Sequence, residues 1–233
     1  IANGSGLEIT LLPDRGLDFY QVRYLGKNLN YIAPCGVVAP QYYTRTDESW
    51  IDGFFAGFLT TCGLSYTGLS VEENNYRTSL HGVIGNQPAE RVNIIRGRDD
   101  QDTPFVQISA QIHETLGGAN LTLNRDIKIF YGVNEIVMTD RVDNNLFSPQ
   151  EHMIVYHCNF GYPLLDENAI INIPSRAVRG RTPWAQQNLE SWPVVLAPQD
   201  QFEEMCFYHD LEADAEGWAN VSINNPKAGV GVQ

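Results

Sequence analysis

Leu121-Thr-Leu-Asn-Arg-Asp-Ile-Lys-Ile-Phe-Tyr-Gly-Val-Asn-Glu-Ile-Val-Met-Thr-Asp-Arg-Val142 reads as two strands joined by a turn. Leu121, Leu123, Arg125, Ile127 and Ile129 fall on every second position. Ile136, Met138, Asp140 and Val142 do the same after the turn Gly132-Val-Asn134. Side chains of a strand alternate between its two faces, so period-2 patterning predicts strands with one apolar face. The same pattern recurs outward in both directions. Leu7–Leu12 alternates and stops at Pro13. Phe19–Leu25 follows, with a turn at Gly26-Lys27 and a short strand at Leu29–Ile32. Val106, Ile108, Ala110 and Ile112 share a face. Further strands are read at Glu151–Phe160, Ala169–Ile173, Glu203–Tyr208 and Trp218–Ile223. No stretch carries a sustained helical stripe with caps. Many strands on meander-length connections predict an all-β protein, a large antiparallel sandwich or barrel. With no internal repeat, low-complexity tract or linker, residues 1–233 read as one domain.

The bulk composition limits the function classes. Hydrophobic residues make up 43 % of 233, enough for a sizeable core. The formal net charge of −13 repels phosphate backbones, so no nucleic-acid partner is expected. No apolar run approaches the roughly 18 residues that span a bilayer, so no membrane partner is expected. Cys35, Cys62, Cys158 and Cys206 form no C-x-x-C pair. They suggest a reducing, cytoplasmic setting, with Cys158 and Cys206 as small hydrophobes in apolar strands. Neither a metal site nor a cofactor is expected: His152 and His157 point to opposite faces of their strand, and no phosphate loop or nucleophile elbow is present. The chain opens at Ile1 without a Met or signal pattern and closes at Val230-Gly-Val-Gln233, which reads as the middle of a longer protein.

His157 stands in the apolar run Met153–Phe160, which has the composition of a buried strand. Alternation puts it on one face with Glu151, Met153, Val155 and Asn159. His152, Ile154, Tyr156, Cys158 and Phe160 take the other. An unpaired polar group in a core costs about 1–3 kcal/mol, so this imidazole is either bonded to a backbone carbonyl or has work to do. A histidine titrates near neutrality and can hold or release a proton. His81 sits among two glycines, an Asn and a Pro in His81–Pro88, an irregular backbone that suits close approach of a ligand or an exposed turn. Arg15, in a tight turn, could fork onto sugar hydroxyls or pair with Asp14 or Asp18. Leu59–Leu64 reads as a pocket floor or a tightly packed strand. Glu204 heads an apolar strand, where it could bind hydroxyls or sit exposed. Tyr42–Gly53 reads as a long loop of the kind that rims a site.

Five segments in order resemble one family. They are Leu12-Pro-Asp-Arg-Gly-Leu-Asp18, Leu59-Thr-Thr-Cys-Gly-Leu64, His81-Gly-Val-Ile-Gly-Asn-Gln-Pro-Ala-Glu90, Tyr156-His-Cys-Asn-Phe-Gly-Tyr-Pro-Leu-Leu165 and Glu203-Glu-Met-Cys-Phe-Tyr-His-Asp210. The set resembles uncharacterised bacterial relatives of aldose 1-epimerase, in the galactose mutarotase-like superfamily, from about Gly6 to about Asp210. The resemblance implies a β-supersandwich of antiparallel sheets with a sugar-binding cleft and no cofactor. It implies His157 as the general acid at the ring oxygen and His81 as a substrate-binding histidine. Glu204, three residues before Phe207, matches a carboxylate that binds sugar hydroxyls. The family's substrate-binding Asn-Arg segment has no clear equivalent, and Arg15 or Arg77 stands in for it. The family's general base is a Glu in a C-terminal hairpin, which falls beyond Gln233. The expected partner is a small-molecule sugar, and a homodimer is left open. Two other readings stand beside the epimerase: a noncatalytic carbohydrate-binding protein, and a lyase or hydrolase using carboxylates about the same cleft.

Overall fold

The computed structural model describes residues 1–44, 49–73, 76–115 and 118–233. The chain forms two compact units, Ile1–Phe160 and Gly161–Gln233.

The first unit is a two-sheet antiparallel sandwich. Its first sheet contains β1 (Leu7–Leu12), β2 (Asp18–Tyr24), β3 (Lys27–Asn28), β4 (Leu59–Leu64) and β11 (Met153–Cys158). These run in the order β1-β2-β4-β11, with β3 on β2. A two-stranded ribbon, β5 (Glu72–Glu73) and β6 (Tyr76–Arg77), precedes the second sheet. That sheet is a four-stranded meander, β7 (Ala89–Arg98), β8 (Pro104–Glu114), β9 (Leu121–Phe130) and β10 (Ile136–Asn144). The predicted hairpin is β9–β10, with Ile129 opposite Ile136 and Arg125 opposite Asp140. Leu121, Leu123, Arg125, Ile127 and Ile129 are all buried. Leu64 and Ile84 of the first layer pack on Ile112, Leu121 and Leu123 of the second.

Three polar side chains bridge the two sheets. Arg125 donates to both oxygens of Asp140 (Nε 2.9 Å, Nη2 2.7 Å), to Asp18 Oδ1 (2.8 Å) and to Thr61 Oγ1 (2.8 Å). Tyr156 donates to Asp140 at 3.0 Å. Glu114, also buried, accepts from the backbone N–H groups of Leu64 (2.6 Å) and Ser65 (3.1 Å). Each of these links one sheet to the other, and each buried charge meets an opposite charge or amide donors, as burial demands.

Several expectations are corrected. The strand read at Leu29–Ile32 is instead β3 at Lys27–Asn28, with Asn30 and Ile32 in isolated bridges to Phe160 and Ala56. Strand β7 gave no signal: adjacent Ile94 and Ile95 break the alternation, a bulge falls between Glu90 and Asn93, and both faces are exposed. The run around His157 is not a buried strand. β11 is the last strand of its sheet, and Met153, Val155 and Tyr156 are each about two-fifths exposed. Cys158 is exposed as well.

The second unit holds a three-stranded sheet, β12 (Ile170–Asn172), β15 (Ser222–Asn225) and β16 (Val230–Val232), in the order β12-β15-β16. A separate pair, β13 (Ser175–Gly180) and β14 (Phe207–Leu211), completes its strands. The strands read at Glu203–Tyr208 and Trp218–Ile223 thus begin four residues later. Short helix α1 (Ser49–Asp52) lies in the first unit and α2 (Pro183–Gln187) in the second. Thr182 caps α2 through Ala185 N–H at 3.1 Å, and Pro183 occupies its first turn. Among the described residues, no helix is long and apolar enough to cross a membrane.

Candidate active site

The site is built around β4. All six residues of this strand are buried, so of the two readings of Leu59–Leu64 the tightly packed strand is the one observed. Thr61 points to the inter-sheet core, where it meets Asp18 and Arg125. Thr60 and Cys62 therefore point the other way. Strand β11 pairs with β4 antiparallel, placing His157 opposite Thr60 and Val155 opposite Cys62. Tyr156 and Ile154 reach the second sheet, so His157 projects from the opposite face, as alternation predicts. Cys62 is a packing residue: burial, with Asp18 nearby, pushes its thiol up to about 12.

His81 arrives on the same face by a backbone contact that only glycine allows. Gly63 and Gly82 form a parallel bridge. Gly63 N–H donates to His81 O, and Val83 N–H donates to Gly63 O, both at 3.1 Å. A Cβ on Gly82 would lie 2.4 Å from the carbonyl oxygens of both Gly63 and Tyr66. His81 itself has φ 55°. Such left-handed backbone in a non-glycine residue is uncommon and costs of order 1–3 kcal/mol, which surrounding contacts must offset.

The two imidazoles meet with ring centroids 6.0 Å apart at 75°. Trp50, in α1, sets its ring edgewise to His81 at 4.8 Å and stacks on Phe54 at 4.3 Å. Phe54 meets His157 edge to face at 5.1 Å. Trp50, Cys62 and Leu80 form a buried cluster with Tyr43 and Phe54 against it. The segment Tyr42–Gly53 thus supplies an aromatic wall, although residues 45–48 within it lie outside the described residues. Nδ1 of His157 is buried with no hydrogen-bond partner among the described residues. That nitrogen is therefore not tied to a backbone carbonyl, as a core histidine would be.

The remaining sequence candidates divide. Asn159 is close by and partly buried, and its amide donates to Ala56 O (3.0 Å) and His157 O (2.8 Å). It fixes the chain beside His157. Arg15 is corrected: it is 3 % exposed, and its guanidinium donates to the carbonyls of Gly85 (2.9 Å), Val38 (2.6 Å) and Gly53 (3.0 Å). It is turned to the backbone, not offered to a sugar, and it forms neither predicted salt bridge. Arg77 is exposed on β6, in register with Glu72. Glu204, in the second unit, is solvent-exposed and pairs with Arg181 at 2.5 Å. Trp50 and Phe54 were not singled out from sequence, since an aromatic in an aperiodic loop has no pattern to mark it.

Residues 1–233 match the domain of unknown function DUF4432 over their whole length. The chain belongs to the DUF4432 family. Its fold is aldose 1-epimerase-like: it superposes on a crystal structure of a putative aldose 1-epimerase from Klebsiella pneumoniae subsp. pneumoniae MGH 78578 with a TM-score of 0.89. The two are 28 % identical over 97 % of this chain and 59 % of that one. This DUF4432 chain therefore spans about three-fifths of the length of the solved relative. No curated protein matches it.

Proposed function

We propose that this DUF4432 chain carries the acid half of a sugar mutarotase site, in which His157 protonates the ring oxygen of an aldose and His81 holds the substrate. The observation that carries this reading is the orphaned, buried Nδ1 of His157 on a ring 6.0 Å from that of His81, within an aromatic wall. A buried polar atom without a partner is costly unless a ligand or a proton-transfer role accounts for it. An aldose supplies such a partner through its hydroxyls and ring oxygen, while its C–H faces suit the half-buried Phe54.

The reaction is acid/base ring opening. A carboxylate takes the proton from the anomeric hydroxyl while His157 gives one to the ring oxygen. The C1–C2 bond turns, the ring closes on the other carbonyl face, and the two groups exchange roles. The family resemblance implies a Glu of a C-terminal hairpin as that carboxylate. With Arg15 committed to backbone carbonyls, a neutral sugar fits the described site better than a phosphosugar or a uronate.

Anomer interconversion followed by NMR exchange across a panel of aldoses tests this. One or more sugars is expected to interconvert faster with the full-length protein. His157→Asn is expected to slow that rate about 10²–10⁴-fold, the span of one general acid, with sugar binding still measurable by calorimetry. If no sugar interconverts faster but one binds, the protein is a noncatalytic carbohydrate binder; if none binds, the sugar reading is lost.

A further inference from the structure

We infer that Arg15 is a positioning residue for the histidine pair: its guanidinium sets the aromatic wall and the His81 segment at a fixed separation about His157. This rests on the reading of the site given above, but the contacts that carry it are independent of any sugar.

Each nitrogen of Arg15 that forks outward is committed. Nε donates to Gly85 O (2.9 Å), Nη2 to Gly53 O (3.0 Å) and Nη1 to Val38 O (2.6 Å), and the guanidinium lies over the Phe55 ring at 5.0 Å. Gly53 stands between the two aromatic residues that approach the histidines. Trp50 is three residues before it and Phe54 immediately after. Phe54 N–H closes the turn by donating to Ile51 O at 3.1 Å. Gly85 lies in the short turn Ile84–Asn86, which the chain enters three residues after His81. That turn rests on β4, since a Cβ on Gly85 would come 2.8 Å from Thr61 O. One planar cation therefore ties the wall facing His157 to the segment that delivers His81.

The geometry needs an arginine. Three carbonyls from three segments converge on donors spread over a rigid plane, whereas a lysine ammonium is a point charge on a flexible stem. Burial lowers the affinity of Arg15 for its proton, with Asp18 acting against that. An arginine still stays charged at any physiological pH. The clamp is thus independent of pH across the range in which a histidine titrates.

Arg15→Lys and Arg15→Met are compared with wild type and with Ile9→Val, a core substitution on β1 that serves as a stability control. Circular dichroism first establishes that each variant is folded at the temperature used. The side-chain NMR resonances of His157, assigned by their loss in His157→Asn, report ring currents from Phe54 and Trp50. The expected result is that both Arg15 variants shift these resonances and Ile9→Val leaves them in place. Where a sugar interconverts, the rate is expected to fall at least tenfold in Arg15→Lys and by less than twofold in Ile9→Val. Unchanged His157 resonances in a folded Arg15→Lys protein would overturn the proposal. A wild type that acts on no sugar would remove the mutarotase reading, while the resonance shift would still decide the clamp.

Discussion

Arg125 serves two carboxylates in a place that water does not reach. It satisfies Asp140 with two donors and Asp18 with one, while Thr61 adds its N–H (2.8 Å) and hydroxyl (2.6 Å) to Asp18. Burial pushes the Asp18 carboxyl above the usual carboxylate range, outweighing the pull of Arg125 and Thr61. A carboxyl raised on folding binds its proton more tightly in the folded state. Its contribution is thus fully present below the unfolded value and is lost as pH rises through the folded one. Stability is expected to fall with rising pH across that window, and Asp18→Asn is expected to flatten the slope. Urea midpoints over a pH series measure it, and parallel slopes in the two proteins would exclude Asp18 as the source. Removing the arginine is more severe, because both carboxylates stay buried without their cation. Arg125→Met is expected to cost about 3–5 kcal/mol in denaturant unfolding. A loss below about 1 kcal/mol would mean that the network can relax toward water. Alternation located Arg125 and Asp140 on the apolar faces of their strands. That they meet each other and Asp18 depends on register and on the facing sheet, which no single strand specifies.

At the scale of elements, β4 and its two neighbours decide where the histidines lie. β11 brings His157 by ordinary antiparallel pairing, and the Gly82 segment brings His81 by close backbone approach to Gly63. Gly82 has φ 75°, and a side chain there would strike two carbonyls. Gly82→Ala is expected to destabilise the protein by about 1–3 kcal/mol. It is also expected to weaken sugar binding by displacing His81. Denaturant midpoints together with calorimetric titration of a binding sugar check both parts; a stable variant with normal affinity would show that the approach is not needed. The glycines around His81 announced an irregular backbone in the sequence. They did not announce its neighbour, because Gly63 lies in a different segment and a bridge between the two is a tertiary contact. Strand β7 shows the opposite failure. Its pairing with β8 is long and regular beyond the bulge, but exposure on both faces removes the apolar period that sequence reading relies on.

For the whole molecule, the spacing of apolar residues implies an all-β sandwich or barrel, and the resemblance of five segments in order implies the aldose 1-epimerase-like fold that the structure has. Those segments also contain the histidine pair. The sequence by itself determined that the chain would be all-β, that Leu121–Val142 would be a hairpin, and that His157 would face away from Tyr156. These are local consequences of a two-residue repeat, and a strand cannot obey it without placing its side chains so. Tertiary structure alone decided the roles of the arginines and of the aromatic wall. Arg15 has the same chemistry as a sugar ligand and as a clamp on three carbonyls, and only the positions of Val38, Gly53 and Gly85 separate the two. Trp50 and Phe54 carry no period, so nothing before folding connects them to His81 and His157. Burial and orientation depend on which segments converge, and convergence of distant segments is a property of the packed chain.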